Sequence, residues 1–327
     1  MEITNYKKRE GQEILCTDIS TKSNKKYKWQ NSEYTRIFLE ALSTLPESRK
    51  LIIRKLGFGS ILTFSCFSNV QVIFEWLISQ FDTTSATLSL EDGFNFTLCS
   101  HSTHMILGFP AGPKAVVRTE SIECSDFIMN IVKTKSPTVE HLCSLLSTDL
   151  NEDSFTVIFM LLLLTAFIDP NASGVASPAY YPNLKDISSI PSLDWCSFTL
   201  DCLLRAIKKY LFRKKQNIEL ESGGCKILLV ISYFEFLITS EFNLGNSVPR
   251  LPLWTTHVVN SYIALDSQQG HSKGFGRLVR KHITSTPFKG SKQQIEMPSE
   301  IKDYMELKFQ KIALFQFSEF LEQFKEG

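Results

Sequence analysis

The stretch NEDSFTVIFMLLLLTAFID, Asn151–Asp169, decides what kind of protein this chain is. Its apolar part, Phe155–Ile168, reads either as a membrane span or as the centre of a globular core. A span needs about 20 apolar residues, and a run in the low teens is a buried core helix. Asp153 and Asp169 bracket the run closely. Asn151 is an N-cap by type, and Pro170 cannot continue a helix. The stretch therefore predicts a helix buried on all sides, around which the other elements must pack.

Composition agrees with a packed chain. Of 327 residues, 43% are hydrophobic and 25 are Phe, against 15 Gly and 12 Pro. Such a chain has apolar surface to bury and does not read as disordered. Lys+Arg is 35 and Asp+Glu 34, a net charge of +1. A general nucleic-acid binder is usually strongly basic, so only local basic patches can serve that purpose. The opening MEITNYKKREGQ is polar, with no apolar core of a signal peptide. The eight cysteines are accordingly expected to stay reduced, as in cytosol or nucleus.

Working outward, helical spacing recurs on both sides. NSEYTRIFLEALSTL offers Ser32 as N-cap and Ile37, Phe38, Ala41, Leu42 and Leu45 as an apolar face. PESRKLIIRKL follows, with Pro46 in its first turn and Gly57 beyond its end. NVQVIFEWLISQF presents Val72, Ile73, Trp76, Leu77 and Phe81 at helical spacing. Then the period changes to two. Leu88 and Leu90 precede Asp92-Gly93, and Phe94, Phe96 and Leu98 follow it. That predicts a β-hairpin whose two central residues both take positive φ. SHSTHMIL is read as a short serine-capped helix ending at Gly108. TESIECSDFIMNIV and PTVEHLCSLLST are shorter helices. NASGVASPAYYPNLKDISSIP, residues 171–191, reads as a linker. CKILLVISYFEFLITSEF and WTTHVVNSYIAL are further helices, while QQGHSKGFGR and TPFKGSK look irregular. The expected fold is mainly α, one large helical domain over residues 31–290 with one small β-hairpin near residues 86–98. A basic tail, residues 1–30, precedes it. An amphipathic helix, residues 291–327, follows, with Phe309, Phe315, Phe320 and Phe324 as a face for core or partner.

The richest single helix is DWCSFTLDCLLRAIKKYLFRKK, Asp194–Lys215. At 100° per residue, Trp195, Phe198, Cys202, Ala206 and Tyr210 fall on one stripe, widened by Leu203, Ile207 and Leu211. Asp194, Asp201, Arg205, Lys208 and Lys215 fall on another. Cys196 and Cys202 point about 120° apart and cannot share a metal or a disulfide within the helix. Arg205, Lys208, Lys209, Arg213, Lys214 and Lys215 gather towards the C-terminal end, where cations favour the helix dipole. The plain reading is a core helix with a wet basic end. The sharper one makes those six residues phosphate contacts. The tail clusters KKRE and KSNKKYK are either a solvated arm or a nuclear import signal.

Motifs for catalysis are absent from the sequence. CSHSTH (Cys99, His101, His104) with Cys124, His141 and Cys143 lacks the close ligand pairs of a zinc site. There is no GxSxG, no phosphate-binding GxxxxGK[ST] and no complete GxGxxG after a strand. Glu152 and Asp153 are explained by the dipole of the helix they open. No cofactor, metal or membrane partner is expected, and an active site assembled from distant residues is the least supported reading.

Several segments together carry a family resemblance. They are LIIRKLGFGSILTF, WLISQFDTTSATLSLEDGFNFTLCSHSTHMILGFPAGP, FMLLLLTAFIDPNAS, YYPNLKDISSIPSLDWCSFTLDCLLRAI, GGCKILLVISYFEFL and VPRLPLWTTHVVNSYIALD. In this order, over residues 35–285, the chain resembles the helical region of transposon-derived plant proteins termed "aminotransferase-like, plant mobile domain". Gly57, Gly59, Trp76, Asp82, Gly93, Gly108, Pro110, Gly112, Trp195, Cys196 and Cys225 carry most of the match, as turns and core anchors. The resemblance implies no catalytic residues and no pyridoxal phosphate. Some relatives place this region before a SUMO-protease-like domain, whose triad is not expected within these 327 residues. What it implies is a non-enzymatic interaction or scaffold protein, in the nucleus or alternatively the cytoplasm, with an unknown protein partner. The alternative is a nucleic-acid-binding module that uses residues 205–215.

Overall fold

The computed structural model describes residues 30–65, 70–218, 223–267, 274–282 and Phe288. All lie in one compact unit that ends at Phe288; a second unit, residues 289–327, lies outside the described residues. So do the basic tail up to residue 29 and the candidate Phe309, Phe315, Phe320 and Phe324. The fold is mainly α with one small antiparallel sheet. In chain order the helices are α1 (Gln30–Ser43), α2 (Glu47–Lys55), α3 (Val70–Ser79), α4 (Ser100–Leu107) and α5 (Ile122–Val132). They continue with α6 (Val139–Leu146), α7 (Glu152–Leu163), α8 (Trp195–Lys215), α9 (Lys226–Phe234) and α10 (Thr256–Asp266).

The decisive stretch is the buried centre. Asn151 caps α7, its Oδ1 accepting from the Ser154 N–H at 2.8 Å. Every residue from Phe155 to Ile168 is buried. Among the described residues no helix is long and apolar enough to cross a membrane. The helix does not end as α. Leu164–Ile168 widens into a π turn, closed by the Asp169 N–H on the Leu164 carbonyl at 2.9 Å. The helix stops there because Pro170 has no N–H to offer the Ala166 carbonyl four residues back. The Thr35 hydroxyl of α1 supplies that donor at 2.6 Å. One turn thus ties the first helix to the central one.

The sheet has three strands, β1 (Phe81–Asp82), β2 (Thr87–Ser89) and β3 (Asn95–Thr97). Leu88 pairs with both Phe81 and Phe96, putting all three side chains on the buried face. Two expectations change here. Helix α3 stops at Ser79, so Phe81 belongs to β1, and Val72 is 68% exposed; the buried face is Val70, Ile73, Phe74, Leu77 and Ile78. The hairpin turn has positive φ at Gly93 (85°) but not at Asp92. The Gly93 N–H reaches the Leu90 carbonyl at 3.0 Å, and the Leu90 N–H reaches the Phe94 carbonyl at 2.9 Å. This is a three-residue loop with glycine in the left-handed position, which demands that conformation once rather than twice.

Other boundaries shift for local reasons. Helix α1 begins at Gln30, so Ser32 lies inside it, and Pro46 is the N-cap of α2 rather than its first turn. Cys99, not Ser100, caps α4, its N–H donating to Ser102 Oγ at 2.9 Å; Ser100 Oγ turns to Asp194 instead. Residues 171–191 are not a linker. They form 3-10 turns at Pro178–Leu184 and Ile187–Ser192 that bury Tyr180, Tyr181, Leu184 and Ile190. Asn183 holds them by pairing with both the N–H and the carbonyl of Val117, at 2.9 and 2.8 Å.

Helix α8 lies against α4 and is locked at its start. Lys114, Gly112 and Pro110 form backbone hydrogen bonds with Ser192, Leu193, Asp194 and Trp195. A side chain at Gly112 would sit 2.1 Å from the Ser192 carbonyl oxygen, so only glycine permits this approach. Irregular residues near the end of the unit are pinned too. The buried Asp266 carboxylate accepts from Tyr233 Oη (2.7 Å), the Gly276 N–H (3.0 Å) and the Leu278 N–H (2.8 Å).

Candidate functional site

Helix α8 presents two environments. Its first half is core: Trp195, Cys196, Phe198, Thr199, Cys202, Leu203 and Ile207 are buried, and the Trp195 indole N–H donates to the Ile190 carbonyl at 2.8 Å. Asp194 caps the helix through Ser197 N–H at 2.8 Å. The sequence put Ala206, Tyr210 and Leu211 on the same buried stripe; they are half-buried.

The two cysteines are separated, as their spacing requires. Cys196 Sγ donates to the Phe109 carbonyl at 3.2 Å. Cys202 Sγ accepts from Arg118 at 3.2 Å and Arg205 at 3.3 Å. Burial, with Asp194 nearby, pushes the Cys196 thiol up to about 12. Burial, with Asp169 nearby, also raises the Cys202 thiol, despite the Arg118 guanidinium. Arg118 sits beside Asp169 (2.8 Å) and Tyr180 Oη (2.9 Å) and stacks over the Tyr180 and Phe198 rings. It ties the end of the π turn to α8.

Of the three imidazoles considered for zinc, His101 is exposed and the other two are engaged by backbone. His104 Nδ1 lies 2.6 Å from the Phe109 carbonyl and His141 Nε2 2.8 Å from the Val132 carbonyl. Among the described residues no group of three or more His, Cys, Asp or Glu is placed to hold a metal.

The six bases named from the sequence fall into three groups. Arg205 is engaged, its Nε 3.0 Å from Asp201 Oδ2. Lys214 folds back over the Tyr210 ring, at 5.8 Å. Burial, with the Glu75 carboxylate nearby, pushes that tyrosine up to about 12. Lys208, Lys209 and Lys215 are exposed and Arg213 half-exposed, and none has an ion-pair partner among the described residues.

Sequence reasoning missed the residue at their centre. Phe212 is 63% exposed and has no ring partner among the described residues. At 100° per residue Arg205, Lys208, Lys209 and Lys215 all lie within about 60° of it. The helical wheel holds this signal: Leu211 falls beside the inward stripe, and Phe212, one residue on, falls among the bases. The outer face of the last turns is therefore an aromatic ring set among three unpaired ammonium groups.

Comparison with known proteins adds one match. No curated protein and no solved structure matches this chain. A family model described as Domain of unknown function (DUF8566) matches residues 34–230, from α1 into α9 and including all of α8. That span is more than half of the 327 residues, and the chain belongs to the DUF8566 family.

Proposed function

We propose that this chain is a non-enzymatic interaction or scaffold module of the transposon-derived plant type its sequence resembles. It works in the nucleus and meets an anionic partner through the outer face of α8. The observation that carries the reading is the cluster of unpaired Lys208, Lys209 and Lys215 around exposed Phe212. The helix dipole accounts for bases only in the last turn, so Lys208 and Lys209 are not explained by it. Several of the most buried polar groups have structural work instead. Glu235 pairs with Arg250 at 2.8 Å, Asp266 binds three donors, and Asn183 clamps Val117.

The test is retention of the purified chain on immobilised heparin. The wild type is expected to elute at higher salt than a Lys208→Gln/Lys209→Gln/Lys215→Gln variant, because each lost phosphate or sulfate contact lowers the salt dependence. Equal elution would remove this face as the contact surface. A substrate turned over by the pure protein, with the activity lost on one substitution, would remove the non-enzymatic reading.

A further inference from the structure

The face on α8 suits one class of anionic partner better than the others. We infer that it binds single-stranded nucleic acid, one base stacking on Phe212 and the flanking phosphates resting on Lys208, Lys209 and Lys215. The inference rests on the proposed anionic partner and names it.

Three observations lead here. The three ammonium groups have no ion-pair partner among the described residues, so they meet phosphates without first breaking a contact. Lys208 and Lys215 are about 10 Å apart along the helix axis at 1.5 Å per residue, a distance that suits a short stretch of strand on either side of one base. The centre of the face is an open aromatic ring rather than another charge or an amide. An unstacked base offers a π surface of matching shape, and base–aromatic stacking tolerates any base identity.

The rival occupants fit less well. In a duplex the base faces are already stacked inside, so the Phe212 ring would meet only sugar and phosphate. A membrane surface calls for a helix with a broad exposed apolar face. In α8 that face, from Trp195 to Ile207, is inside the core, leaving Phe212 as the exposed large apolar residue of the helix. An acidic protein surface would satisfy the lysines but gives the ring no reason to stand open.

The experiment uses the full chain and fluorescence anisotropy of a labelled mixed-sequence oligonucleotide, single-stranded or annealed, from about 50 to about 200 mM salt. Single strand is expected to bind more tightly than duplex. Phe212→Ala should weaken single-strand binding about tenfold, which is about 1.4 kcal/mol, the scale of one base stack. Phe212→Tyr keeps the ring and should keep the affinity, and duplex binding should not respond to either. The triple lysine-to-glutamine variant should flatten the slope of log K against log salt by about 2. Phe212 is exposed, so thermal melts of these variants should match the wild type and exclude misfolding. Equal affinity for duplex and single strand, unaffected by Phe212→Ala, would overturn the inference. So would Phe212-dependent binding to phosphatidylserine vesicles without binding to oligonucleotide. If oligonucleotides do not bind while heparin retention still depends on the lysines, this inference falls and the anionic-partner reading stands. If heparin retention is lysine-independent as well, both fall.

Discussion

Glu235 and Arg250 are each 2% exposed and face one another across a gap closed by one carboxylate. The Glu235 Oε1 atom accepts from Arg250 Nε at 2.8 Å and from the Trp254 indole N–H at 2.5 Å. Arg250 Nη1 donates to the Gly245 and Ser247 carbonyls, at 3.0 and 2.9 Å. This one pair fixes the loop between α9 and α10. Removing one member of such a pair leaves the other charge buried. Glu235→Ala should therefore cost about 3–5 kcal/mol in urea unfolding. Glu235→Leu combined with Arg250→Met should cost less than the single change. A single substitution as mild as a surface mutation, about 0.5 kcal/mol or less, would mean that water reaches the site. The sequence could not reveal this pair, because a Glu between two Phe residues and an Arg between two Pro-flanked stretches carry no periodic signal.

At the scale of elements, what could be read was what obeys a period or a cap. The α7 cap at Asn151, the boundaries of α8 and the alternation of β2 and β3 follow from local residue type. What could not be read depends on residues far away in sequence. Helix α3 ends early because Phe81 has Leu88 to pair with. The Pro- and Ser-rich segment 171–191 becomes core because Val117 offers Asn183 a backbone to clamp. Helix α8 has the most to lose at its start. Asp194 accepts from the Ser197 N–H, the Ser197 hydroxyl and the Ser100 hydroxyl, so it caps α8 and holds α4 to it. Asp194→Ala is expected to lower stability by about 1–2 kcal/mol and Asp194→Asn by much less, since asparagine caps as well. Thermal melts of both variants check this; equal loss in the two would assign the effect to charge rather than to the cap.

The whole molecule combines a core built around Phe155–Ile168 with an exposed basic face at the far end of α8. The core was legible because a run too short for a membrane and too apolar for a surface has one remaining place to go. The face was legible by half. The bases were visible as a cluster, but their sorting into paired, folded-back and free depends on Asp201 and Tyr210, and Phe212 had first to be seen pointing outwards. The face can be interrogated directly by placing a photoreactive benzoylphenylalanine at position 212 and, as a control, at Ile122, which is 85% exposed on α5. Irradiation with a labelled single-stranded oligonucleotide is expected to give a salt-sensitive crosslink from position 212, lost when Lys208, Lys209 and Lys215 are glutamine, and none from position 122. A crosslink from position 122 as strong as that from 212, or one indifferent to the lysines, would contradict the central claim that this face is where the partner sits.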